Sequence, residues 1–329
     1  MKYLLPVFAL TILIASCKKQ DLTNKPETLT YYQPFKANSV FWDSIPSSMS
    51  VDANSSTMVG SLEEQANSQG FLISVKEWTT TVYYADANTS TYDVKLTAGW
   101  APKKKLLNVP IPDWAEPDPS GDGHMVILDT LNGCAYDFWE MGYKNGKWKA
   151  SWGNAIPLDG DGVFEKGMSA RGSGFELLQG MIWPHELEAG AINHALIFSY
   201  DHTKSGGPVW PATESDGTTD DAWAIPEGAL VRLNPSLDLA GMGISGYELI
   251  IGECLQTYGM YCADDGGGLS LYAINPLSCK SNPYNDFWGD QTYVYLDNLP
   301  VDQFQIMELG AQSESDAEVV GNSCAEFKD

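Results

Sequence analysis

Positive charge is scarce in this chain. Only 19 of its 329 residues are Lys or Arg, against 43 Asp or Glu, which gives a formal net charge of −24 at pH 7. A protein with this balance repels phosphate backbones and anionic lipid headgroups. The composition therefore argues against nucleic acid and against an anionic membrane surface as partners.

Long apolar runs are also scarce, and the one near the start is too short to span a bilayer. Residues 4–14 are apolar, are interrupted by Pro6 and follow the positive Lys2, a pattern typical of a cleavable signal peptide over residues 1–16. The run ends in Ile14-Ala15-Ser16-Cys17, which resembles the lipobox of bacterial lipoproteins. The resemblance implies lipidation of Cys17 and a place at the outer membrane or surface of a Gram-negative bacterium, with the lipid as the only membrane contact. The alternative is an ordinary secreted protein in which Cys17 is incidental.

The cysteines are few and do not form a metal-binding motif. Once Cys17 is lipidated, five remain, so at most two disulfides can form and one thiol is left over. Cys254 is the expected free thiol, because it falls on the apolar face of a predicted helix. No C-x-x-C pair or Cys/His cluster indicates zinc.

Turn residues and aromatic residues are plentiful, and the chain divides into a spacer and a domain. Residues 17–36 are polar without periodicity and predict a flexible tether, and residues 37–329 predict a single β-rich domain without internal repeats. Helices are predicted over 50–67, over 184–190 and over 245–259, the last with a capping box of Ser245 and Glu248. Strands are predicted over 70–76, 80–86, 92–98, 125–129, 135–141, 147–152, 193–200, 260–263, 269–274, 292–297 and 303–309. The predicted fold class is mainly β, a β-sandwich of jelly-roll type with a few short helices.

A set of short motifs is similar, in order, to a broad family of secreted microbial proteins of undefined activity. The resemblance covers residues 38–276 and implies one continuous domain, but it carries no activity with it. Its motifs are Asn38-Ser-Val-Phe41, Val82-Tyr-Tyr-Ala-Asp86, Val109-Pro-Ile-Pro112, Asp122-Gly-His124, Phe138-Trp139, Ala150-Ser-Trp-Gly153, Gly180-Met-Ile-Trp-Pro-His-Glu186, Gly190-Ala-Ile-Asn-His-Ala-Leu196, Pro226-Glu-Gly228 and Tyr258-Gly-Met-Tyr-Cys-Ala-Asp264.

Two of the four histidines are candidates for acid–base chemistry. His124 and His194 stand beside predicted strands, where a rigid scaffold presents functional side chains. With Asp122, Glu186 or Asp264 they predict one polar site acting on a carbohydrate or an ester. The competing interpretations are that His194 is a hydrogen-bonded core residue, or that glutamates near aromatic residues, Glu140, Glu176 and Glu186, form a glycosidase pair.

The remaining candidates concern ligands. Clustered tryptophans predict stacking on sugar faces, with Trp139, Trp183 and Arg171 as substrate-binding residues. No cofactor is expected, although Asp118, Asp122 and Asp129 partly match the ligand spacing of a calcium loop. No P-loop, dinucleotide fingerprint or complete G-x-S-x-G motif is present.

Two classes of function remain open. The first is a surface-anchored glycan-degrading enzyme, a glycoside hydrolase or polysaccharide lyase, that acts on a polysaccharide or oligosaccharide. The second is a non-catalytic surface lipoprotein that binds glycans through its tryptophans.

Overall fold

A computed structural model describes residues 22–33, 38–163, 169–313 and 322–329. The predicted signal peptide and Cys17 lie outside the described residues. None of the described helices is long and apolar enough to cross a membrane.

The described residues form three α-helices and sixteen short strands. The helices are α1 (Ser55–Gln69), α2 (Pro184–Ala189) and α3 (Gly246–Thr257). The strands are β1 (Leu72–Ser74), β2 (Thr81–Tyr84), β3 (Thr91–Leu96), β4 (Lys105–Pro110), β5 (Met125–Asp129), β6 (Cys134–Trp139), β7 (Gly142–Lys144), β8 (Lys147–Ala150), β9 (Trp152–Pro157), β10 (Leu196–Tyr200), β11 (Leu230–Leu233), β12 (Met260–Asp265), β13 (Ser270–Tyr272), β14 (Tyr293–Tyr295), β15 (Phe304–Ile306) and β16 (Phe327–Lys328).

These strands pair into three sheets. A seven-stranded sheet has the order β14-β1-β13-β10-β12-β11-β15, a five-stranded sheet β16-β4-β3-β8-β7, and a four-stranded sheet β2-β5-β6-β9. The prediction of a mainly β protein is confirmed. The jelly-roll arrangement is not, because β1–β13, β10–β12, β2–β5 and β3–β8 are parallel pairs, whereas jelly-roll strands are antiparallel.

The three sheets pack face to face, because apolar side chains along the central strands point alternately to the two sides. In β5, Ile127 packs toward the five-stranded sheet and Val126 toward the seven-stranded sheet. Helices α1 and α3 cover the outer face of the seven-stranded sheet, with Leu62 and Ile251 in the same core as Ile73. The four-stranded sheet is thus the middle layer and is buried on both faces, which explains why β5 is apolar throughout.

Two local predictions fail for identifiable reasons. The region 147–152 is two strands rather than one, because the chain leaves the five-stranded sheet after Ala150 and enters the four-stranded sheet at Trp152. Helix α3 begins after Ser245 as predicted, but the Ser245 side chain makes no capping bond, and Glu248 instead accepts a hydrogen bond from Asn298 Nδ2 at 2.6 Å. A tertiary partner replaces the local capping box.

The structure also shows the state of the cysteines and the position of the N-terminal segment. Cys134 and Cys324 form a disulfide, while Cys254, Cys262 and Cys279 are buried free thiols, so the free state of Cys254 is as expected. Part of the predicted tether lies on the domain: Tyr31 stacks on His185 with ring centroids 3.8 Å apart, because the middle of the segment carries aromatic rings that can be buried. The described residues 25–32 therefore do not behave as the expected free spacer.

Candidate functional site

One large cleft, of about 1500 Å³, opens on the inner face of the seven-stranded sheet. Side chains along each strand point alternately to the two faces of this sheet. Ile73, Leu271 and Val294 point to the helix-covered core, and their neighbours on the same strands point to the cleft. These neighbours are Leu72, Ser74, Ser270, Tyr272, Tyr293 and Tyr295. The cleft therefore has a rigid floor of polar and aromatic side chains.

A β-bulge delivers Asp264 to this cleft. The register of β10 against β12 shifts after Phe198, so that Ser199 pairs with Asp264 while Ala263 is skipped. Without the shift, Asp264 would follow Cys262 into the helix-covered core. With it, Asp264 shares the face of Ser199, and both side chains line the cleft.

The aromatic wall is built by a strained turn. Trp78 has φ 55°, a conformation that is costly for a bulky side chain, and it is 47% exposed. Buried Asp118 holds the turn, because its carboxylate accepts the backbone N–H groups of Trp78 and Thr79 and the amide of Asn275. The turn thereby holds an indole ring at the cleft edge.

A second pair of indole rings lies on the same wall. Trp100, 56% exposed, stacks on Trp139 with centroids 6.5 Å apart and an interplanar angle of 17°. Trp139 Nε1 donates to Asp122 Oδ1 at 3.2 Å, which fixes the ring and places a carboxylate beside it. The prediction that Trp139 and Asp122 belong to one site agrees with this geometry.

Arg171 is the buried cation of the cleft floor. Its side chain is only 1% exposed, its Nη1 lies 3.6 Å from Asp264 Oδ2, and its Cζ lies 5.1 Å from the centroid of Tyr272. Burial raises the pKa of Asp264 to about 7, although Arg171 opposes the rise. The sequence predicted that Arg171 binds substrate, but a side chain that is 1% exposed is placed to position the cleft floor rather than to contact a ligand.

Carboxylates below and beside Arg171 are buried without full partners. Asp137 and Glu176 are fully buried, and each has one oxygen without a hydrogen bond. Burial raises the pKa of both groups. Glu214 lines the cleft, and burial together with Asp137 raises its pKa to about 8. Glu214 is therefore largely protonated at neutral pH, and burial also favours the protonated forms of Asp137 and Glu176.

His124 lines the cleft but is a weak base. Burial and the Arg171 guanidinium lower the pKa of His124 to about 3, and the Ala170 carbonyl is its hydrogen-bond partner. Its imidazole is neutral at physiological pH. His124 and Asp122 do line the same cleft, as predicted. His124 is nevertheless too weak a base to act as a general base, which requires a pKa near 7.

Three carboxylates converge at the base of the cleft. Asp216, Glu227 and Asp264 each offer an oxygen within 4.8 Å of the others. Asp216 lies directly above Gly172, where a Cβ would come within 2.6 Å of the carboxylate carbon. In the described part of the chain, this is the group of three acidic or histidine side chains close enough to share a metal ion.

The other half of the predicted site lies elsewhere. His194 Nε2 is 2.9 Å from Glu186 Oε1, and its Nδ1 is 2.9 Å from the Ala195 carbonyl oxygen. Glu186 also accepts the Trp183 backbone N–H at 2.9 Å. Trp183 and His194 border a cavity of only about 10 Å³, too small for a substrate. His194, Glu186 and Trp183 are therefore core residues, and the competing interpretation of His194 is the correct one.

The predicted calcium loop does not converge either. Asp118 accepts donors of the Trp78 turn, Asp122 accepts Trp139 Nε1, and Asp129 accepts Asn132 within its own β-turn. Each carboxylate is committed to a different local structure. The spacing matched the motif, but strands replaced the helices that bring such ligands together.

Sequence reasoning missed several residues of the cleft. Glu214, Asp216 and Glu227 lie in Gly- and Pro-rich loops, and the one available signal was their position beside Gly217 and Gly228. Trp78, Trp100 and Tyr295 were also missed, because exposure of an aromatic ring is not visible in a single sequence. The acids of the site come from loops distant in sequence, which only the fold brings together.

Comparison with known proteins adds nothing to this geometry. No protein-family model matches the chain, no curated protein matches it and no solved structure matches it. The function of the cleft has to be argued from the cleft itself.

Proposed function

We propose that this protein is a surface-anchored glycan-degrading enzyme, and that the cleft hydrolyses a polysaccharide or oligosaccharide. The observation that carries the proposal is the cleft of about 1500 Å³, which combines exposed aromatic rings on its wall with carboxyl groups on its floor. Aromatic faces bind the apolar faces of sugar rings, and carboxyl groups supply the acid–base chemistry of glycosidic cleavage.

The wall would bind the sugar chain. Trp78, Trp100 and Tyr295 are each close to half exposed at the cleft, so their faces are open to a ligand. The strained turn at Trp78 and the stack of Trp100 on Trp139 hold the rings in place before binding. A pre-positioned ring loses little conformational entropy when a ligand binds.

The floor would supply the reacting groups. Glycosidases that use two carboxyl groups place one on each side of the scissile bond. Asp122 and Glu214 line the cleft outside the group formed by Asp216, Glu227 and Asp264. Glu214, whose pKa is raised to about 8, suits a general acid, and Asp122 lies beside the indole of Trp139, so these two are the candidate catalytic pair. Arg171 is a positioning residue that contacts Asp264.

Charge favours a hydrolase over a lyase. The lining contains five carboxylate residues against one buried guanidinium, that of Arg171; the acids are Asp122, Glu214, Asp216, Asp264 and Asp265. Lyases act on chains of uronic acids. Even with Glu214 protonated, the other acids of the lining outweigh the single guanidinium, so the cleft disfavours such chains and tolerates a neutral glycan. The proposal is thus hydrolysis of a neutral or amino-sugar chain.

The anchor is part of the proposal. Lipidation of Cys17 would hold the protein at the outer membrane or cell surface, where extracellular polymers are met, with no other membrane contact. A Cys17→Ser variant should leave the membrane fraction for the soluble fraction after cell lysis. Retention of the variant in the membrane pellet would remove the anchor from the proposal without affecting the cleft.

The activity is tested with the purified full chain on a panel of neutral, amino-sugar and uronic-acid polysaccharides. New reducing ends without unsaturated products are the expected result. Glu214→Gln and Asp122→Asn should each lower turnover by about 10²–10⁴-fold, the usual contribution of a general acid or base. Glu188→Gln, an exposed glutamate outside the cleft, is the matched control and should leave turnover unchanged.

A second function is favoured by one observation, the exposure of the wall aromatics. If the protein binds glycans through Trp100 but releases no new ends, and Glu214→Gln binds as tightly as the native chain, it is a binding protein rather than an enzyme. Unsaturated products in place of reducing ends alone would contradict the hydrolase assignment.

A further inference from the structure

We propose that Asp216, Glu227 and Asp264 form a binding site for one calcium ion at the base of the cleft. Their carboxylate oxygens lie within 4.8 Å of one another, and no part of the proposed glycan chemistry requires them. The proposal therefore stands or falls independently of the enzymatic activity.

The first observation that points to a cation is an unpartnered oxygen. Glu227 is fully buried, at 0% exposure, and its Oε2 accepts the backbone N–H of Asp216 at 3.0 Å. Its Oε1 is also buried and makes no hydrogen bond. A buried carboxylate oxygen without a donor is costly, and a bound cation removes that cost by direct coordination.

The second observation is the local charge. Three carboxylates converge, and the nearby guanidinium is that of Arg171, 3.6 Å from Asp264. One guanidinium cannot compensate all three carboxyl groups when they are ionised, and a divalent ion would supply the missing positive charge. Among the three acids, Arg171 forms an ion pair with Asp264 alone. Its guanidinium therefore does not take the place of an ion at Glu227.

The backbone already holds the three groups in place. Asp264 is turned to this side by the β-bulge in β12, and Asp216 rests on Gly172, where any larger residue would collide with the carboxylate. Glu227 precedes Gly228, which has φ 87° and lies so close to the Val209 carbonyl that a Cβ could not fit. Ligands fixed by the fold lose little entropy when they bind an ion.

The chemistry of the ligands favours calcium. All three are hard carboxylate oxygens, which select calcium or magnesium rather than zinc or copper. Calcium accepts oxygen ligands at about 2.3–2.6 Å in flexible geometry, whereas magnesium demands a near-ideal octahedron, which three carboxylates fixed by separate loops and strands do not readily form. Asp216 and Asp264 face the cleft, so water can complete the larger coordination shell of calcium.

The test is calorimetric titration of the purified full chain, freed of ions by a chelator, with calcium chloride. A single site with a dissociation constant in the micromolar to millimolar range is expected, together with a rise in melting temperature on adding calcium. Magnesium should bind at least about tenfold more weakly. Absence of binding heat and of any thermal shift at millimolar calcium would overturn the proposal.

Variants locate the site. Glu227→Gln keeps the shape and the bond to the Asp216 N–H but removes the charge, so calcium affinity should fall by about tenfold or more. Asp216→Asn, at an exposed residue, should do the same and guards against misfolding of the buried variant. Asp265→Asn, the exposed neighbour of Asp264, is the matched charge control and should change affinity by less than about threefold. Native-like calcium binding in both ligand variants, or its loss in Asp129→Asn, would place the ion elsewhere.

Discussion

His124 and His194 are both buried beside strands, yet their surroundings are opposite. His194 donates from both ring nitrogens, to the Glu186 carboxylate and to the Ala195 carbonyl, so it is satisfied as a charged imidazolium. His124 faces the Arg171 guanidinium, which together with burial keeps it neutral. One residue belongs to a closed core and the other to the floor of an open cleft.

The comparison extends to the acids around each histidine. Glu186 bonds to His194 and to the Trp183 N–H, and both of its oxygens are used. Asp137, Glu176 and Glu227 are as deeply buried, but each leaves one oxygen without a partner. The core pair is thus fully satisfied within the fold, whereas these three acids each keep one buried oxygen unpaired behind the cleft lining.

The largest expected effect is on the paired region. Glu186→Ala would leave His194 buried without its counter-charge, so the free energy of unfolding should fall by about 3–5 kcal/mol, measured by urea denaturation. Burial lowers the pKa of His194, but Glu186 and the Ala195 carbonyl together raise it above the ordinary value. The stabilisation is therefore complete below the unfolded-state pKa of about 6.5 and declines as pH rises through the folded-state pKa. The loss in the variant should be larger at pH 5 than at pH 9.

The control for that experiment is on the same helix. Glu188 is exposed in α2, so Glu188→Ala should change the free energy of unfolding by less than about 0.5 kcal/mol. An equal loss in both variants would mean that helix α2, rather than the His194 pair, carries the effect.

The two histidines can also be compared directly by titration. In nuclear magnetic resonance spectra, the His194 ring should remain charged above pH 6.5, while the His124 ring stays neutral down to about pH 4. The separation of the two midpoints should exceed about three pH units. Midpoints within one unit of each other would break the comparison between core and cleft.

A smaller effect is expected from the unpaired acids. Burial raises the pKa of Asp137, so the native state holds this proton more tightly than the unfolded chain does. Stability is therefore lost as pH rises from about 4 through the folded-state pKa. Asp137→Asn keeps an acceptor for the Ala170 N–H and should raise the free energy of unfolding by about 1–3 kcal/mol at pH 8. Little change is expected at pH 4, and a variant less stable at pH 8 would show that Asp137 is charged and satisfied.

The smallest effect on stability is expected at the wall. Trp100→Ala removes an exposed ring, so the free energy of unfolding should change by less than about 1 kcal/mol. Glycan affinity should fall about tenfold, since one stacking ring contributes about 1–1.5 kcal/mol. Trp210 is 66% exposed outside the cleft lining, and Trp210→Ala should bind glycan as the native chain does. Equal loss in both variants would remove the wall from the binding site.

Local patterns predicted much of the secondary structure and several residues that line the cleft. Strand 125–129 was predicted at its true bounds, and Pro184 and Gly190 bracket α2 as expected, with Gly190 at φ 73°. His124, Asp122, Asp264, Trp139 and Arg171 do meet in one cleft. His194, Glu186 and Trp183 were joined to them wrongly, since single residues near strand ends carry no information about which face of which sheet they occupy.

The sequence by itself determined the β-rich class, the principal helices and the acidic, aromatic character of the chain, because strand alternation, helix periodicity and turn residues act over a few neighbours. Tertiary structure alone decided the site. The bulge that turns Asp264 into the cleft, and the approach of Asp216 and Glu227 from separate loops, depend on contacts between sheets. Burial then set the charge state of each group, because the cost of desolvating an ion depends on everything that surrounds it.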